Sequence, residues 1–269
     1  WITYNIDSRT VKITNKEQLK EYVEDYGEDS DFVKVRVRGV FPSASAKQFI
    51  NREDVDAAMN RDVGQVNYSR TVAILGVDVA REGDDRSAIA TKIGRDCTMP
   101  LKVFRGLDGP QLGMQVLMYA NELKQKGIPR VYINLDYTGV GASPYDWLKD
   151  KVQHLNKVIS ASQSTNPQRW ANKRAEMWDK MRDFIRDDGA IPKSEELAED
   201  LCIPEKLIDQ KGRLLLESKD SMKRRGMNSP DTADALALCF AIPIQEYIED
   251  DSWRHQRVNR HKGIRDPYA

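Results

Sequence analysis

Histidine and cysteine are scarce in this chain, three of each in 269 residues. His154, His255 and His261 stand in no catalytic context, which argues against a histidine-based hydrolase. Cys97, Cys202 and Cys239 are odd in number and far apart, with none of the paired spacings of zinc or disulfide frameworks, and fit a reducing cytosol. Long apolar runs are missing too. The longest, such as "ADALALCFAIPI", fall short of the roughly 18 to 20 residues that span a bilayer, and no secretory signal opens the chain. Because it starts at Trp1, the chain is expected to be a fragment. No glycine is followed by lysine, so the phosphate-cradling loop G-x-x-x-x-G-K-[ST] is absent and ATP hydrolysis of that kind is not expected here. Charge of one sign does not dominate: 42 basic residues balance 42 acidic ones, so any contact with nucleic acid must come from local patches.

Hydrophobic residues make up 40% of the sequence, enough for a sizeable core. Residues 1 to 50 mix an acidic amphipathic stretch, "NKEQLKEYVEDYGEDS", with a strand-like run, "VKVRVRGVF" (Val33 to Phe41), and end in "PSAS". "NREDVDAAMNRD" reads as a short connector helix with Asn51 as its N-cap. From Thr71 apolar runs alternate with helical periods, the signature of an α/β domain. Strands are predicted at Val72 to Val79, Ser87 to Ile93 and Met99 to Phe104, joined by tight polar turns that suit an antiparallel meander. A helix follows with Leu112, Val116, Tyr119, Ala120 and Leu123 on one face and Gly127 as its stop; Met114 and Met118 are expected in the core. Next come a strand at Arg130 to Asp136, a helix from near Ser143, a strand at Lys157 to Ser162, and a long helix from about Pro167 to Asp188. A hairpin at Lys206 to Glu217 turns at Lys211-Gly212, and a final helix starts from Ser229 as N-cap with Pro230 at its first position. This element order is that of a ribonuclease-H-like fold: a mixed central sheet, three antiparallel strands and then parallel ones, flanked by helices, with an added β-hairpin.

The stretch "LGVDVAREGDDRS" sets an aspartate, Asp78, in an apolar strand. A carboxylate there is costly unless its charge is compensated, and a metal ion is the simplest compensator. Asp136 ends the strand "VYINLD", and Asp231 and Asp234 open the last helix. In the predicted order Asp78 and Asp136 lie on neighbouring strands and the last helix brings its first turn over them. Converging carboxylates without histidine or cysteine suit Mg²⁺ or Mn²⁺, and two such ions can clamp the attacking and leaving oxygens of a phosphodiester. Plainer readings stand beside each acid: Asp136 as a turn-former, Asp231 as a helix-dipole residue, Asp84 and Asp85 as hairpin-turn residues, and "GVGAS" as a turn rather than a phosphate cradle. Two basic patches stand out, "KDSMKRR" (Lys219 to Arg225) and the tail "RHQRVNRHKGIR". The first immediately precedes the acid pair, where a nucleic-acid backbone would pass, and makes Lys219, Lys223, Arg224 and Arg225 candidate DNA contacts.

"GVDVAREGDDRSAI", "LDYTGVGASPYDWL" and "ESKDSMKRRGMNSPDTADALAL", in that order and at those intervals, resemble the C-terminal nuclease domain of the large terminase subunit of tailed bacteriophages. The resemblance covers about residues 68 to 245, and "KVRVRGVFPSAS" resembles the stretch that joins that family's ATPase domain to its nuclease. It implies three regions: residues 1–66 as the end of an ATPase region with a linker, 67–248 as the nuclease domain, and 249–269 as a basic tail. It also implies an endonuclease cutting concatemeric double-stranded viral DNA during packaging in the host cytoplasm, with two Mg²⁺ or Mn²⁺ ions. Asp78 and Asp136 match the strand carboxylates of the family's metal site, Asp231 its helix carboxylate, and Asp84 an extra acid found in some members. Asp234 matches the second helix acid of the related Holliday-junction resolvases. A portal protein and a small terminase subunit are the implied partners, no membrane is involved, and the isolated fragment is expected to be monomeric. Two other functions compete: half of an actin-like ATPase, which would need a second phosphate-binding lobe and more length, and a non-catalytic module docking DNA or a portal ring.

Overall fold

The computed structural model of the chain describes residues 6–28, 31–40, 47–80 and 86–245. Asp84, Asp85 and the basic tail lie outside the described residues.

At the N-terminal end, α1 (Lys16–Tyr26) is capped by Asn15, whose side chain accepts from the amides of Glu17 and Gln18. The predicted strand-like run instead contains a helix, α2 (Asp31–Arg36). The alternation "VKVRV" has period two, but Val33 and Val37 stand four apart and are both fully buried in a small cluster with Leu19. A helical face was therefore hidden inside a strand-like pattern. α3 (Arg52–Met59) has the expected Asn51 cap and packs into the main core, where Phe49, Ile50, Val55 and Ala58 join it.

The main sheet is built from β1 (Val72–Asp78), β2 (Ser87–Lys92), β3 (Lys102–Phe104), β4 (Arg130–Asp136) and β5 (Leu155–Val158). Between β3 and β4 runs α4 (Gly109–Gln125), and between β4 and β5 runs α5 (Ala142–Leu148). The strand order is β3-β2-β1-β4-β5. The first three strands pair antiparallel, whereas β4 lies parallel to β1 and β5 parallel to β4. This is the mixed α/β sheet expected of a ribonuclease-H-like fold. α4 buries the predicted Leu112, Val116, Tyr119, Ala120 and Leu123, but Met114 and Met118 face outward, each about half exposed, rather than into the core.

The C-terminal half adds α6 (Lys173–Asp187), α7 (Glu195–Cys202), a hairpin of β6 (Lys206–Ile208) and β7 (Leu214–Leu216), α8 (Lys219–Arg224) and α9 (Asp231–Leu238). The hairpin turns where expected, with Gly212 at φ +77°. Several boundaries differ from expectation, β3 among them, which starts at Lys102 rather than Met99. β5 pairs over Leu155–Val158, and α6 begins only after Asn172, whose side chain accepts from the Ala175 amide. α9 begins at Asp231, with Pro230 rather than Ser229 in the cap position and no side chain of its own as cap. Neither α7 nor α8 was expected as a helix.

The sheet is covered on both faces. Ala73, Leu75 and Val77 join α4 in one core, while Val72 and Ile74 join α6 and α9 in the other. Side chains alternate along a strand, so Gly76 and Asp78 share the α9 face of β1. Gly76 is required there: a Cβ would fall 2.0 Å from the Ala235 carbonyl oxygen of α9. On β4, Asn134 donates its side-chain amide to the Leu238 carbonyl at 2.8 Å and so ties down the far end of the same helix. β1, β4 and α9 are thereby locked together around the ends of the parallel strands.

Candidate metal centre

Asp78 and Asp136 end two adjacent parallel strands, and α9 crosses above them with Asp231 in its first position and Asp234 one turn on. All four acids line one cleft of about 700 Å³, together with Lys219, Lys223, Arg174 and the hairpin residues Leu207 and Leu215. The four strand and helix acids expected from the sequence thus do converge.

Their surroundings differ. Asp78 is 5% exposed. Burial drives its carboxyl up to about 8; Lys219 opposes that rise, and the negative charges of Asp234, Asp231 and Asp136 add to it. Asp136 is half-buried and does form a turn, since its Oδ1 accepts from the Thr138 amide (3.0 Å) and hydroxyl (2.7 Å). Gly141 packs against its backbone so closely that a Cβ would meet the Asp136 carbonyl oxygen, so "GVGAS" serves as a tight turn. The Oδ2 atom of Asp231 accepts from the Arg86 amide at 3.4 Å.

Asp234 is held from all sides. Its Oδ1 accepts from the Trp178 indole (2.8 Å) and the Arg174 Nε (3.1 Å), and its Oδ2 meets the second arm of Arg174 (3.2 Å) and the Lys219 ammonium (2.9 Å). Burial would raise its pKa, but Arg174 and Lys219 outweigh burial and hold it down at about 2. Lys219 stands among three acids, its Nζ also 3.7 Å from Asp231 and 3.8 Å from Asp78. Burial would lower the ammonium's pKa, whereas Asp234 and Asp78 raise it.

The remaining predicted basic residues divide. Lys223 and Arg224 are exposed on α8, and Lys223 lines the cleft. Arg225 is engaged internally: its guanidinium clasps the buried Glu217 carboxylate, lies 3.6 Å from Glu205 and donates to the Ile203 carbonyl. That clasp, with the Ser221 hydroxyl on Glu217 at 2.8 Å, seats α8 against the hairpin.

Among the described residues, no three acids, histidines or cysteines are drawn into a metal-ligating group. The Lys219 ammonium sits between the acids instead. The donor set still suits a hard divalent cation, because every acceptor is a carboxylate oxygen and the buried Asp78 lacks enough positive charge to ionise in its usual range. Asp78, Asp136 and Asp231 each keep at least one oxygen without a short side-chain donor among the described residues, and Asp234 does not.

Three participants escaped the sequence reading. Arg174 and Trp178 lie on α6 far from any motif, and only the fold brings them to Asp234. Asp200 left a fainter signal, an acid in the buried stripe Leu197, Ala198, Leu201 of "EELAEDLC".

A mixed five-stranded sheet with acids at the ends of its central parallel strands, roofed by an acid-bearing helix, is a ribonuclease-H-like fold. Among solved structures it matches nuclease domains of phage large terminase subunits. That of gp2 from bacterial virus Sf6 is 21% identical, with 73% of this chain and 100% of that one covered and a TM-score of 0.59. A lysine-to-alanine variant of the same domain with manganese gives 20% identity, the same coverage and a TM-score of 0.56. The large terminase nuclease of thermophilic phage G20c with bound magnesium is 11% identical over 72% of this chain and 97% of its own, with a TM-score of 0.52. No protein-family model and no curated protein matches the sequence.

Proposed function

We propose that this chain is a metal-dependent endonuclease that cuts double-stranded DNA, with Asp78, Asp136 and Asp231 as the ligands of two Mg²⁺ or Mn²⁺ ions. The observation that carries this reading is the buried Asp78, whose ionisation burial and three neighbouring acids oppose. Bound cations would supply the Lewis acid that activates water and neutralises charge on the scissile phosphate. Asp234 acts chiefly as the anchor of Arg174 and Lys219, and Lys219 balances the acids from within. Lys223 and Arg224, exposed on α8 beside the cleft, grip the DNA backbone. Arg225 contributes by holding α8 in place, and Asp84, outside the described residues, is kept as a candidate extra acid.

The likeness of fold to phage terminase nucleases supports a role in cutting concatemeric viral DNA during packaging in the host cytoplasm, with a portal protein and a small terminase subunit as partners. ATP hydrolysis is not part of the proposed activity. The test is plasmid cleavage by the purified chain with Mg²⁺, Mn²⁺ or EDTA, alongside Asp78→Asn. Nicking should require the metal and vanish in the variant while its circular dichroism stays native. Undiminished nicking by the folded variant would overturn the site, and no nicking by the native chain would favour the docking module.

A further inference from the structure

α9 carries the acids, yet its own cap is missing. The helix begins after Pro230, which has no side-chain hydrogen-bonding group, and all eight of its residues are buried. A helix end this buried needs partners from elsewhere for the free amides of its first turn. One comes from a different helix. The Asp200 Oδ2 on α7 accepts from the Thr232 amide at 3.1 Å and from the Thr232 hydroxyl at 2.6 Å. Asp200 is 5% exposed and Thr232 2% exposed, so the pair is shielded from solvent.

α7 reaches the site a second time. Glu196, one turn before Asp200, pairs with the Arg86 guanidinium, and the Arg86 backbone amide is the one that donates to Asp231. Asp231 is thus bracketed, from the helix side by the Asp200–Thr232 clasp on the next residue and from the strand side by Arg86.

We infer that Asp200 is a positioning residue for the metal centre: it caps α9 from α7 and thereby fixes where the Asp231 carboxylate stands. This rests on the reading of Asp231 as a metal ligand. Residues that orient metal ligands without touching the metal commonly change metal affinity or activity by about 10-fold to 100-fold when replaced.

The test compares the native chain with Asp200→Ala, Asp200→Asn and Asp108→Ala. Asp108 caps α4 on the opposite face of the sheet with a capping box and controls for a lost cap as such. Besides thermal melting, two readouts are taken on each: Mn²⁺ binding by electron paramagnetic resonance without DNA, and hydrogen exchange of the Thr232 amide. Asp200→Ala should weaken Mn²⁺ binding at least tenfold and unprotect the Thr232 amide. Asp200→Asn, whose side-chain oxygen can still accept both bonds, should recover most of each. Asp108→Ala should lower the melting temperature and leave the other two readouts native. Native Mn²⁺ binding in Asp200→Ala, or equal weakening in Asp108→Ala, would overturn the positioning role. Failure of the native chain to bind Mn²⁺ at all would overturn the metal-centre reading, and the inference with it.

Discussion

At the scale of single residues, the four acids have different tasks and should fail differently. Among the described residues Asp231 has only a long contact to one amide and one distant ammonium, so Asp231→Ala should change stability by no more than about 1 kcal/mol while raising the metal concentration needed for half-maximal cleavage. Asp234→Ala should strand the half-buried Arg174 and Lys219 and cost about 3 kcal/mol or more, as thermal melting would register. A native melting point with a raised metal requirement would reverse the two assignments. Asp78 adds a pH dependence. Its carboxyl is raised from 3.8 to about 8 in the folded chain, so its contribution to stability is full below about pH 4 and is lost as pH rises through about 8. The metal-free protein should melt at progressively lower temperature from pH 5 to 9, and Asp78→Asn should flatten that slope. Asp234, held at about 2, works in the opposite sense, and its contribution is lost only as the pH falls from about 4 towards 2.

At the scale of elements, packing ties the connector to the sheet domain. Phe49, Ile50, Val55 and Ala58 belong to the same core as α6 and α9, and α3 touches α6 and α7. A chain starting at residue 47 should fold and keep its cooperative melt, whereas one starting at residue 67 should expose that core and aggregate; size exclusion and calorimetry would separate the two. The two central strands, β1 and β4, were legible because an apolar run that ends in an acid, bounded by polar turns, has few other uses. α2 was not, since valines at alternate positions satisfy a strand period and a four-residue helical spacing at once. α7 was hidden by its acidity: four of its eight residues are Asp or Glu, and the buried face becomes visible only when α9 is laid against it. The convergence of Asp78, Asp136, Asp231 and Asp234 could be read from element order, whereas the place of Lys219 could not. Its partners lie 141, 12 and 15 residues away, and no local pattern records that.

For the molecule as a whole, formal neutrality means that the DNA binding we propose has to be local, from Lys223 and Arg224 beside an acidic cleft. Such contacts go to phosphates and carry no base information, so cleavage of a random plasmid should give a smear with little site preference and weaken steeply between about 50 and 200 mM salt. A single discrete cut site in such a plasmid would contradict this. The sheet imposes a further condition, one that belongs to genetics. β1 sends Leu75 and Val77 to one side and Gly76 and Asp78 to the other, with the chain pinned at both neighbours by ladder pairing. Losing one codon within β1 would turn every later side chain of the strand to the wrong face, setting an acid against α4 and a leucine or valine where α9 needs a glycine. Along the gene, these seven codons should therefore tolerate conservative exchange at Val72 or Ile74 yet admit no in-frame deletion or insertion.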